Sequence, residues 1–340
     1  MVCPLPFEQS DATPADLAAA IAGTHPVLLR GLVALWPAVA AAGAGDAAIS
    51  DYLTACDTGA EATIFVGPPD IAGRLFYDNS LRGFNFERRP STVTRLLKQL
   101  AEVTDDPAPP ALYMGAAPLA EAAPRFVRDN PAPALPDAPL PDDASARLWL
   151  GNATTVQTHY DLSANLACVA AGRRTFTLFP PDQAANLYVG PLEFTLAGQP
   201  VSLVDPLAPN HDRFPLYRTA ERHAFTVTLS PGDALFIPPL WWHHVQALDT
   251  LNLLVNYWWR TAPVFAGSPF ECLIHGLLAI RDLPDEQRAA WKAMFDHFVF
   301  SAGPETVAHI PDGARGVLGD LTPATARTIR QFLIGSLSRG

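Results

Sequence analysis

The sequence predicts a mainly β fold with helical flanks, of the sandwich, jelly-roll or barrel type. Three observations carry this. From Arg147 to about Trp259 the chain breaks into short apolar runs punctuated by Gly, Pro and Asp, as short strands joined by turns do. No helical period interrupts those runs, which argues against a parallel doubly wound sheet. Proline supplies 34 of 340 residues, about twice the usual ~5%, which favours a loop-rich chain over a helical bundle.

In chain order, Thr13 caps a helix that begins at Pro14 and stops at Gly23. An apolar strand from Pro26 to Arg30 turns at Gly31. Val93, Leu96, Leu97 and Leu100 share one face of a helix capped by Ser91. Residues 106 to 145, rich in Pro, Ala and Asp, read as a mostly irregular connector around a short strand at Ala111 to Met114. The β region offers RLWLGN, NLACVAAG, RTFTLFPP, AFTVTLSPGDALFIPP, HHVQAL and TLNLLVNYWW. After Pro263 the pattern is helical. Ser268 to Glu271 has the form of a capping box, Trp291, Met294, Phe295 and Phe298 follow helical spacing, and Thr322 caps a helix carrying Ile329, Phe332 and Leu333. These stripes serve either as core or as a dimer seam.

Composition bounds the function. A net charge of −11 leaves no electrostatic footprint for nucleic acid. Charged residues are 17%, below the usual ~25%, and 49% of the chain is hydrophobic, enough for a large core. The apolar run Gly31 to Gly45 is too short to span a membrane and contains Pro37. The first residues carry acids and lack the basic-then-apolar order of a signal peptide, so a cytoplasmic protein is expected. Cys3, Cys56, Cys168 and Cys272 form no Cys-x-x-Cys pair and are expected as buried free thiols.

The chemistry gathers in TTVQTHYDLSANLACVAAGRRTFTLFPP. On a strand, residues i and i+2 share a face, so His159 and Asp161 point the same way. SPGDALFIPPLWWHHVQAL supplies further histidines downstream. Two imidazoles and one carboxylate hold a divalent metal and leave positions open; by chemistry alone iron, manganese or zinc fits. In RTFTLF, Arg174 shares a face with Phe176 and Leu178, and a buried guanidinium is costly unless paired. A ligand carboxylate, bound bidentately, or a remote acid would satisfy it. Asn165 and Asn256 sit in apolar runs and need partners, in the core or on a ligand. The tryptophan pairs 241–242 and 258–259 line a groove or, more in keeping with aromatic clusters, fill core.

THYDLSANLACVAAGRRTFTLFPPDQAANLY, followed by PGDALFIPPLWWHHVQALDTLNLLVNYWW, resembles the JmjC-type, cupin-like oxygenases that use Fe(II) and 2-oxoglutarate. Within them it is similar to the asparaginyl hydroxylases that inhibit hypoxia-inducible factor. The likeness runs over about residues 25 to 300, from HPVLLRGLVALWPA onward. It implies a double-stranded β-helix over residues 111–262, an N-terminal mixed region over 1–110 packing on it, and a C-terminal helical region over 263–340. It implies His159, Asp161 and His243 as iron ligands, with Arg174 holding the far carboxylate of 2-oxoglutarate and Tyr113, Asn165 and Asn256 beside it. It also implies hydroxylation of a C–H of a protein side chain or small molecule, release of succinate and CO2, and a homodimer through the C-terminal helices. The chain departs from the resemblance twice. Arg174 stands where lysine is usual, and Val156 replaces a threonine whose hydroxyl Thr155 or Thr158 is expected to supply. A non-catalytic cupin-fold binding protein, or a cupin metalloenzyme without 2-oxoglutarate, would use the same residues.

Overall fold

In the computed structural model, which describes residues 3–4, 7–196 and 198–338, the β region forms eight core strands. These are β1 (Ser145–Gly151), β2 (Thr155–Tyr160), β3 (Ala164–Ala171), β4 (Arg174–Phe179), β5 (Phe225–Leu229), β6 (Ala234–Ile237), β7 (Trp242–Ala247) and β8 (Asn252–Trp259). One sheet runs β6-β3-β8-β1 and the other β5-β4-β7-β2, with antiparallel pairing throughout. The chain thus crosses between sheets at nearly every turn, which makes a double-stranded β-helix. Further strands extend the sheets to nine and six strands among the described residues.

The apolar run of β3 explains itself in this arrangement. All eight of its residues are buried because both faces are covered. Ala167 and Val169 point between the sheets, where they join Phe176, Leu178, Val227, Val245 and Leu254. Leu166, Cys168 and Ala170 point outward into a second core with Trp36, Leu53 and Leu148. Each buried Val, Leu or Phe contributes about 1.5–3 kcal/mol, so the walls of the barrel are set by this packing. The tight turn from β3 to β4 needs Gly172, at φ +66°: a Cβ there would lie 2.4 Å from Asn252 Oδ1. At the head of β6, Asp233 accepts from Arg30 Nη1 at 2.6 Å, Gly31 N at 3.1 Å and Ser230 N at 3.0 Å, which ties the turn after Val27–Leu29 to the barrel.

Several expectations change. The supposed connector holds a full strand, Ala111–Pro118, because it is paired on both sides, by β1 and by Ala62–Gly67. Tertiary pairing there overrides a composition poor in strand formers. Two short helices, Leu119–Ala122 and Pro124–Asp129, follow it, and another, Tyr217–Arg222, interrupts the strand region between β4 and β5. The cap of the helix Val93–Glu102 is Thr92, whose Oγ1 accepts from Arg95 N at 3.2 Å; Ser91 belongs to the edge strand Glu87–Ser91. Ser268 caps its helix through Phe270 N at 3.2 Å, without a capping box to Glu271. Cys56 and Cys168 are buried free thiols but Cys272 is exposed, and the Cys3 side chain lies outside the described residues.

The chain divides into two compact units, Met1–Thr261 and Ala262–Gly340. In the second, the apolar stripes are not core: Trp291, Met294, Phe332 and Leu333 are exposed. Among the described residues, no helix is long and apolar enough to cross a membrane.

Candidate metal centre

β2 and β7 are neighbours, and their register sets His159 directly opposite His243. The two rings approach to 4.3 Å between centroids. Asp161 follows just after β2, and one ligand atom from each of the three residues lies within 4.8 Å of the others. Both imidazoles are held by backbone: His159 Nδ1 is 2.8 Å from Gln157 O and His243 Nδ1 is 3.0 Å from Trp241 O. A carbonyl only accepts, so each Nδ1 carries the proton and each Nε2 keeps its lone pair for a metal. His243 Nε2 stands 3.7 Å from Asp161 Oδ2, too far for a hydrogen bond. Burial, with the His159 ring, pushes His243 down to about 4, so it is neutral at neutral pH, the form that ligates. His244 faces the other way, buried, with neither ring nitrogen paired, and takes no part in the cluster.

Asp161 is oriented from a distance. Trp149 Nε1 donates to Asn256 Oδ1 at 2.8 Å, Asn256 Nδ2 to Asn165 Oδ1 at 3.3 Å, and Asn165 Nδ2 to Asp161 Oδ2 at 3.1 Å. An indole can only donate, so both amides are fixed and Asp161 always meets a donor. These two asparagines are satisfied within the protein, and they also line a cavity of about 400 Å³, part of it open, beside the triad.

The same cavity is lined by Arg174, Tyr113, Phe176 and Leu254. Arg174 is 2% exposed and its Nε is unpaired; its guanidinium meets Trp149 O through Nη2, at 3.5 Å, and the Tyr113 phenol. Among the described residues no carboxylate oxygen lies within 4.0 Å of the guanidinium. The remote acid is therefore absent. Burial lowers the pKa of Arg174 and the Tyr113 phenol partly offsets this; burial raises Tyr113, with Arg174 pulling the other way. An isolated buried cation is expensive, which leaves room for an anion in the cavity.

A profile of the cupin-like domain matches residues 14–265. The chain belongs to the cupin-like, JmjC-type family. HSPB1-associated protein 1 of Homo sapiens is 36% identical over 113 residues, 33% of this chain and 22% of that protein. Lysine-specific demethylase JMJ31 of Arabidopsis thaliana is 34% identical over 119 residues, 35% of this chain and 21% of that protein. tRNA wybutosine-synthesizing protein 5 of Mus musculus is 30% identical over 146 residues, 38% of this chain and 43% of that protein. The matched part is thus less than half of each relative.

For this cupin-like chain, the structure brings His159, Asp161, His243, Arg174, Tyr113, Asn165 and Asn256 to one cavity. Thr158 is not among them. It neighbours His159 on a strand, so its side chain faces away; it is fully buried with Oγ1 unpaired. Thr155 does not line the cavity either, and Val156 leaves that wall apolar. Of the four tryptophans, Trp241, Trp242 and Trp259 are buried in core clusters while Trp258 lines the site. Sequence reasoning missed Trp149, and also a second cavity of about 660 Å³, part of it open solvent, that shares His159, Asp161, Tyr113 and Trp149 with the first. The signal for its wall was the phenylalanine-rich stretch RLFYDNSLRGFNF.

Proposed function

We propose that this protein is an Fe(II)- and 2-oxoglutarate-dependent oxygenase that hydroxylates a C–H of a protein side chain or small molecule, releasing succinate and CO2. The observation that carries the reading is Arg174, a buried guanidinium without a counter-anion, in the cavity that also holds the triad. The donor set fits the metal: two Nε2 lone pairs and a carboxylate, facing the cavity that Arg174 lines. Iron(II) bound there would supply the activation of O2 and the oxidative decarboxylation of the 2-oxo acid.

The chain's own residues supply the rest. Gln157 O and Trp241 O orient the imidazoles, and Asn165 orients Asp161. Arg174 binds the distal carboxylate through its planar fork. Tyr113, kept protonated by its raised pKa, donates to the same carboxylate. Phe176, Val245 and Leu254 exclude water. The exposed apolar residues of the C-terminal unit support a homodimer through those helices.

The test is succinate production from 2-oxoglutarate with added Fe(II), comparing wild type with Asp161→Ala. Wild-type turnover lost in the variant is expected. Absence of both metal binding and turnover in the wild type would sink the reading. Relatives named for a lysine demethylation and for tRNA wybutosine synthesis point to different substrates, so the substrate is to be read from this chain's own cavity.

A further inference from the structure

The second cavity bears on the substrate, and the inference rests on the oxygenase reading above. Its walls away from the triad are Phe65, Leu75, Phe86, Leu196 and Val201, and its one carboxylate is Asp161, already committed to the candidate metal site. The cavity is partly open to solvent, so a group can reach it from outside.

Aromatic walls can receive cations, but this one already has a cation. The exposed Arg88 guanidinium lies 5.2 Å from the Phe84 ring centroid, 5.6 Å from Phe65 and 6.0 Å from Phe86, and it donates to the Leu196 carbonyl. A second positive charge against the same rings meets repulsion instead of attraction. Two buried polar atoms among the lining residues lack partners, Gln157 Oε1 and Trp258 Nε1. Gln157 Nε2 donates to Ser202 O at 2.9 Å and Val204 O at 2.6 Å, which fixes Oε1 as the free acceptor. The half-buried Gln199 amide, which can donate and accept, completes the lining. Away from the triad the polar groups of the cavity are thus neutral and few, in an apolar setting, the needs of a neutral dipole.

We propose that the group this protein presents to the metal is uncharged and hydrophobic, aliphatic or aromatic, with one neutral polar function such as a peptide amide, and that lysine, methylated or free, is excluded. The test is equilibrium binding to the full chain, with Zn(II) in place of a redox metal, followed by ligand-observed NMR. The probes are N-acetyl-leucinamide, N-acetyl-phenylalaninamide and N-acetyl-trimethyllysinamide. At least one apolar amide should bind tenfold or more tighter than the cation. Arg88→Glu, at an exposed position outside the metal site, should narrow that gap at least threefold by helping the cation. Equal or tighter binding of trimethyllysine, an unchanged gap in Arg88→Glu, or no binding of either apolar amide at millimolar concentration overturns the proposal. The same samples are titrated with 2-oxoglutarate. Loss of 2-oxoglutarate binding with the apolar preference intact defeats the oxygenase reading and upholds the cavity's preference. Intact 2-oxoglutarate binding without the preference does the reverse.

Discussion

Replacing Arg174 by Met should push stability and ligand binding in opposite directions. In the ligand-free protein the guanidinium is buried, with no carboxylate within 4.0 Å among the described residues and only neutral partners, Trp149 O at 3.5 Å and the Tyr113 phenol. Exchanging such an uncompensated cation for an apolar chain of similar length should leave the ligand-free protein as stable or about 1–4 kcal/mol more stable. With 2-oxoglutarate bound, the same change removes one partner of a buried charge pair, at a cost of about 2–5 kcal/mol. At tenfold per ~1.4 kcal/mol, Kd should rise roughly 30-fold to several thousand-fold. Calorimetric titration of 2-oxoglutarate into Zn(II)-loaded protein reads the second number, and urea unfolding of the ligand-free protein reads the first. A variant that binds 2-oxoglutarate as wild type does, or that is clearly less stable without it, would refute the reasoning. Arg174 would then be a structural residue satisfied by Tyr113 and Trp149.

Two further outcomes follow from the same structure. Trp149→Phe leaves Asn256 Oδ1 without its donor, which should cost about 1–3 kcal/mol, seen as a drop in Tm of roughly 2–4 °C per kcal/mol. Asn256→Leu on its own takes the donor from Asn165 Oδ1 and should cost a similar amount. A Trp149→Phe variant as stable as wild type would mean that the hydrogen bond contributes nothing. Asp249 lies 2.8 Å from the Arg173 guanidinium and 2.7 Å from Arg173 N, and hydrogen bonds from Arg173 hold its carboxyl below the ordinary range. Its stabilisation is therefore present above the unfolded value of ~3.9 and lost as pH falls through the lower folded one. Asp249→Asn should be less stable than wild type by up to ~1 kcal/mol at neutral pH, with the gap closing in acid. A gap in urea unfolding that stays constant from neutral pH to pH ~3 would contradict this.

Much of the barrel was legible because its strands carry their own signals. The runs in β3, β4 and β8 are apolar and bounded by turn residues, and Arg174 stood out as a charge on a core face. His159 and Asp161 were legible through simple alternation. What stayed hidden depends on partners. The strand holding Tyr113 exists because two other strands flank it, and its Pro- and Ala-rich surroundings do not announce it. The edge strand Glu87–Ser91, sequence ERRPS, is exposed except for Ser91 and shows no alternation of apolar residues. Thr158 carries a suitable hydroxyl, but as the neighbour of His159 on the strand it faces away from the cavity. Trp149 is a strand aromatic like others in the sequence, and only its hydrogen bond to Asn256, 107 residues away, sets it apart.

The pairing of β2 with β7 also has a meaning in time. His159 and Asp161 are local, but His243 meets them only once β3 to β6 have been laid down and both sheets have closed. An unfolded chain thus offers a metal two ligands at most from this cluster, a poor trap. Hydrophobic strands must meet the entropic cost of closing that long loop unaided, and the ion arrives afterwards. A metal bound at this site should leave the refolding rate nearly untouched and slow unfolding, as a clasp fastened after the box is shut.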